Sequence, residues 1–186
     1  MKLISEDIKE MIPARYTVLG TIDGVIACLA IVLGVSAASV ETNVIIAAGL
    51  SAGIGLGVSN GIGGFMAEYT VEMKRLRKIE RAMIAEKGKL DGTLISKNIR
   101  KKLFFDTLTH GGCSFLGAMV PIIPFLFDLD LAWLLLSSII VSLCVLFALG
   151  IYMGIVIKEH LMISGFKMVI VGLLVAILVR LLGFGH

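Results

Sequence analysis

Charge is scarce in this chain: only 17% of its 186 residues are Asp, Glu, Lys or Arg. Histidine, proline and cysteine each occur three times, and tryptophan once. Each shortage narrows what the chain can be. Three cysteines (Cys28, Cys113 and Cys144) are an odd number, and all lie in apolar stretches, which argues against a disulfide framework. They read as small buried hydrophobes. Prolines stand only at 13, 121 and 124, so few positions interrupt a helix. What remains is 58% apolar with a mean hydropathy of +0.99, against roughly 45–50% apolar in soluble domains. The composition is that of a polytopic membrane protein, and no nucleic-acid partner is expected.

The abundant feature is long apolar sequence. Five runs, approximately 16–38, 43–70, 103–127, 131–157 and 163–182, are each long enough to cross about 30 Å of hydrocarbon. The turns after the first, third and fourth runs are short. Residues 71–102 are instead polar and basic, broken into two helical pieces by Gly88 and the pair Asp91-Gly92. The second run keeps a helical pattern through Met83, and Pro121 and Pro124 interrupt the third. Residues 1–12 read as an amphipathic interfacial helix capped by Ser5, with Ile4, Ile8, Met11 and Ile12 on one side, ended by Pro13. With the N-terminus cytoplasmic, sixteen of the seventeen Lys and Arg fall on one side, eleven of them within 74–102; only Arg180 leans outward. The expectation is a single all-α transmembrane domain over 1–186. It has five membrane helices, a cytoplasmic N-terminus, an outer C-terminus and a short cytoplasmic helical insert between helices 2 and 3.

Two rows of small residues run down the second span at i, i+4 spacing. One is Gly49, Gly53, Gly57 and Gly61, continued by Gly64; the other is Ser51, Gly55, Ser59 and Gly63. Small residues on one face let helices approach closely in lipid. The expected occupants of the two faces are the first span and a second subunit. Gly49-Leu50-Ser51-Ala52-Gly53 matches a nucleophile-elbow pattern, but it lies in mid-helix with no strand before it, so no hydrolase is expected.

Ionisable residues inside membrane segments are costly and point to function. Asp23 lies about 10 Å into the first span, flanked by Gly20, Gly24 and Ala27. Following Gly64 along its row leads to Glu68 and Glu72. Asp106 and His110 share a face of the third span, within a turn or two of Lys101 and Lys102, and Cys113 or Ser114 continues that face. Glu159 and His160 come to the same side. Carboxylates with imidazole suit Mn or Fe, whereas an all-oxygen cage favours Mg or Ca. The candidate metal ligands are Asp23, Glu68, Glu72, Asp106, His110 and Glu80, with Met66 beside the pathway. Leu76, Ile79 and Met83 form a narrow apolar stripe on the basic segment; the segment reads either as a solvated loop in contact with anionic lipid, Glu80 and Glu86 among its charges, or as a cytoplasmic metal-collecting site using Glu72, Glu80 and Met83.

Taken in order, several short patterns resemble the vacuolar iron transporter family. They are Gly20-Thr21-Ile22-Asp23-Gly24, Gly34-Val35-Ser36-Ala37-Ala38, the small-residue run closing in Met66-Ala67-Glu68-Tyr69, Ser114-Phe115 with Gly117-Ala118, Pro121 with Pro124, and Leu146-Phe147-Ala148-Leu149-Gly150 followed by Lys167 and Gly172. The resemblance implies a homodimer of five-span subunits with the pathway along the interface of the first and second spans. It implies Fe(II) or Mn(II) as transported ion, with no permanently bound cofactor, leaving the cytoplasm in exchange for protons. The family's pathway aspartate falls on Asp23 and its second-span glutamate on Glu68. Its pathway methionine would fall on position 64, where this chain has glycine, and Asp106 with His110 stand as a local substitute. The membrane is the plasma membrane in a prokaryote or a vacuole-type membrane in a eukaryote. The alternative is a membrane metal sensor or scaffold that binds without transporting.

Overall fold

In the computed structural model, residues 2–83, 88, 90 and 92–183 are described, with side chains from 15 to 182. They form helices α1 (Lys2–Ala38), α2 (Thr42–Ala82) and α3 (Leu94–Met119), a 3-10 helix (Val120–Leu126), then α4 (Leu131–Ile157) and α5 (Leu161–Gly183). Five of these segments are long and apolar enough to cross a membrane. The side chains of the amphipathic 1–12 segment, and Glu86 and Asp91, lie outside the described residues. Pro13 does not end a helix, because α1 passes through it. Proline removes one backbone hydrogen bond and kinks a helix, which still permits helix on both sides.

The helical residues of the basic stretch belong to the far end of α2, which runs to Ala82 with Met83 as its C-cap, and to the start of α3, nine residues ahead of the expected span. Gly88 and Gly92 take positive φ values of 93° and 85° in the connection, the left-handed region glycine tolerates best. Thr93 caps α3 by accepting from the Ser96 N–H. The carboxylate of Glu80 accepts from the N–H groups of Gly88 (3.0 Å) and Leu90 (3.2 Å), so it binds the connection back onto α2. The buried line here is Glu72, Leu76 and Glu80, and Met83 is exposed, which corrects the expected Leu76–Ile79–Met83 stripe.

The centre of the bundle is α3. Half of its membrane window is buried inside the subunit, against 22% for α2 and 17% for α5. It is sandwiched between α1 and α2, and both contacts are made by backbones with little between them. A Cβ on Gly24 would run into the Ser114 carbonyl and come within 2.7 Å of the Ala118 nitrogen. On the other side, Gly111 lies against Gly57 and Gly61. The first glycine row of α2 therefore meets mainly α3, through Ala118, Met119, Phe115, Gly111 and Thr107, whereas the first span was expected there; only Gly49, at the far end, touches α1 at Cys28, beside Ile122 of the 3-10 helix. The reason is that α3 carries matching small residues at Gly111 and Ala118, so the two helices approach more closely than either could beside bulkier neighbours, while Gly117 does the same for α1 at Thr21.

After α3 the prolines tighten the chain into the 3-10 helix, with Pro121 at its start and Pro124 inside it. Ser138 on α4 donates to the Pro121 carbonyl at 2.7 Å, fastening α4 to this corner. Cys28, Val32, Ile45, Ala118, Ile122, Phe125 and Leu134 form a core at that end of the bundle, drawn from all the segments except α5. Lys158 closes α4 in a left-handed conformation (φ 59°), and α5 then packs back along α4.

Candidate metal pathway

The candidate site lies at the end of the bundle that carries the α2–α3 connection. Tyr16 from α1, Glu68 and Glu72 from α2, and Lys102, Asp106 and His110 from α3 meet there. Helical spacing explains the supply: residues 68 and 72 are one turn apart, and so are 102, 106 and 110. The Tyr16 hydroxyl donates to Glu68 Oε1. Lys102 Nζ stands 2.9 Å from Glu72 Oε1 and 4.0 Å from Glu68 Oε2. Arg75 approaches Glu72 Oε2 at 3.9 Å. Lys102 thus reaches across to α2 instead of pairing with Asp106 on its own helix.

Asp106 and His110 are both buried, and Asp106 Oδ2 and both imidazole nitrogens of His110 have no protein partner. A buried polar group left unpaired costs about 1–3 kcal/mol, so the arrangement asks for a ligand or water. The imidazole packs against the Tyr16 ring, with centroids 5.5 Å apart. It also fills the space beside Gly64, where a Cβ would come within 2.8 Å of its Nδ1. His110 therefore occupies the ground a side chain at position 64 would need.

Asp23 is placed differently. Gly20 and Gly24 face α3, whereas Asp23 points off that contact and is exposed on the surface of the single chain. The Asn60 amide donates to its Oδ2 at 3.3 Å and to Ser114 Oγ at 2.8 Å, and Ser114 in turn donates to the His110 carbonyl at 2.9 Å. A polar thread runs from Asp23 across α2 and α3 toward the His110 cluster. Around it, the second row of α2 is open: Ser51, Gly55, Ser59 and Gly63 are exposed, and a Cβ at Gly55 or Gly63 would meet nothing within 4 Å. Met66 is on this exposed side, 61% accessible.

Other candidates lie apart from this group. Glu80 holds the α2–α3 connection, as described. Glu159 and His160 line a cleft of their own with Lys158, Ile163 and Lys167, and Glu159 pairs with Lys167 at 3.6 Å. Among the described residues, no three His, Cys, Asp or Glu side chains converge closely enough within the single chain to hold a metal ion. Tyr16, Asn60, Lys102 and Ser114 are participants that sequence reasoning did not single out as such. Lys102 and Ser114 were legible as members of the Asp106–His110 row; Tyr16 and Asn60 carried no signal, because only the helix rotation brings them in.

A VIT family model matches residues 14–104 and 71–184, together nearly the whole chain. An uncharacterised protein of Methanocaldococcus jannaschii is 40% identical over 166 residues, covering 88% of this chain and 85% of that protein.

Proposed function

Because this chain belongs to the VIT family, the vacuolar iron transporters, we propose that it is a secondary transporter moving Fe(II) or Mn(II) out of the cytoplasm in exchange for protons. Members of the family are membrane metal-ion transporters and not enzymes, and five long apolar helices make this a multi-pass integral membrane protein. The observation that carries the finer reading is the exposed face of α1 and α2. An acid, Asp23, sits there beside a row of small residues. A carboxylate facing hydrocarbon costs about 3 kcal/mol, and flat glycine faces favour helix association. A second copy of the chain covering this face would remove the cost and line a path with two Asp23 side chains. Glu68 and Glu72 form its cytoplasmic mouth, and Met66 borders it.

His110 and Asp106 support the mouth as the local replacement for sulfur at position 64. Carboxylate and imidazole oxygen and nitrogen donors fit Mn(II) and Fe(II). Replacing both with alanine is expected to weaken Mn(II) binding roughly tenfold, read by calorimetric titration of the detergent-solubilised protein; native affinity would make the pair structural.

Reconstitution tests the function itself. Vesicles containing the protein and an internal pH dye should show proton flux opposite to Mn(II) or Fe(II) flux. Metal binding with no flux would point instead to a membrane metal sensor or scaffold.

A further inference from the structure

One oxygen each of Glu68 and Glu72 is hydrogen-bonded from within the chain, and the other has a cation at 3.9–4.0 Å. Tyr16 donates to one oxygen of Glu68 and Lys102 approaches the other. Lys102 takes one oxygen of Glu72 and Arg75 the other. We propose that Lys102 is a tethered competitor for the transported cation: its ammonium occupies the space between the two carboxylates and must leave before a divalent ion binds there. Lys102 would thereby set the metal concentration at which the mouth loads. This deepens the reading of Glu68 and Glu72 as mouth ligands and rests on it.

The two cations that touch this pair are not equivalent. The Arg75 side chain is 72% exposed and lies one turn from Glu72 on the same helix, a geometry worth little in water. Lys102 comes from a different helix and reaches both acids, and the Glu72 side chain it meets is only 7% exposed. Little water screens that contact. The Lys102 side chain itself is 35% exposed, so its flexible stem has an open way out to solvent. An ammonium and a divalent ion a few ångströms apart repel strongly at low dielectric, so the two occupancies exclude one another. With Lys102 in place the pair carries one net negative charge; with a divalent ion alone it is neutral. A monovalent ion offers no such gain over the ammonium already present, so the tether also favours divalent over monovalent cations.

The consequence for affinity is arithmetic. The apparent dissociation constant is the intrinsic one divided by the fraction of molecules in which the mouth is free. A tether engaged in about nine molecules of ten weakens loading roughly tenfold.

Titration calorimetry with Mn(II) on the full-length protein tests this. Lys102→Gln is expected to tighten binding roughly tenfold, while Lys101→Gln, which removes the same charge from the adjacent exposed position, leaves it within about twofold. Unchanged or weaker binding in Lys102→Gln, or equal tightening in both variants, overturns the tether. A second measurement needs no variant. Reductive methylation of Lys102 in the native protein, followed by mass spectrometry with Lys101 as internal reference, should proceed faster with Mn(II) bound than without; an equal rate overturns the proposal. Glu68→Gln/Glu72→Gln separates the two levels. If that variant loses Mn(II) binding while Lys102→Gln changes nothing, the tether fails alone. If it binds Mn(II) as the native chain does, the mouth reading fails and the tether with it.

Discussion

Asp23→Asn is expected to reduce metal-driven proton flux in proteoliposomes to the level of protein-free vesicles, while leaving the elution volume on size-exclusion chromatography unchanged. The substitution keeps the shape of the side chain and its place beside Asn60, whose amide lies 3.3 Å from the carboxylate. Only the charge is removed. That charge sits roughly two helical turns inside the span, on an exposed face whose neighbours are glycine, serine and aliphatic side chains. A hydrated divalent ion has few partners at that depth other than this acid and, in the proposed dimer, its copy in the second subunit. Flux at the native rate in the variant would remove Asp23 from the pathway.

Gly24→Ala is expected to destabilise the subunit by about 3 kcal/mol, the upper range for overpacking, and to lower its melting temperature in detergent by about 10 °C. The added methyl meets the Ser114 carbonyl and the Ala118 nitrogen, which are backbone atoms of α3 and have no rotamer to change. The helices must separate, and the polar thread through Asn60 and Ser114 separates with them. Gly55→Ala on the open row makes no such contact within the subunit and should melt like the native chain. Gly55→Trp should run as a monomer, since a bulky group there blocks a partner's approach. Equal melting of Gly24→Ala and the native chain would show that α1 and α3 are not in close contact.

Much of the architecture is readable from residue order. The apolar runs mark five helices, and the run expected at 131–157 coincides with α4. The unbroken pattern through Met83 shows that α2 outlasts the membrane segment. Asp106 and His110 are visible as a pair because helical periodicity alone puts them on one face. Periodicity does not show where that face points. Asp23 and Gly24 are adjacent in sequence, yet one is exposed and the other buried, because a helix turns about 100° between neighbouring residues.

The residue pattern also sets the chemistry at stake: few charges, most of the basic ones in one segment, and acids at both ends of a glycine-rich helix. Which glycine row is buried, and against which helix, is decided only by packing. Both rows of α2 are small enough to pack closely, and neither carries a mark of its partner; Gly111 and Ala118 on α3 select the all-glycine row, by offering a surface of matching depth. The same choice leaves Ser51, Gly55, Ser59 and Gly63 exposed beside Asp23, and it swings Lys102 across to Glu68 and Glu72. Local periodicity specifies each helix and its faces, whereas the pairing of faces depends on contacts between residues far apart in the chain, and only the folded bundle contains them.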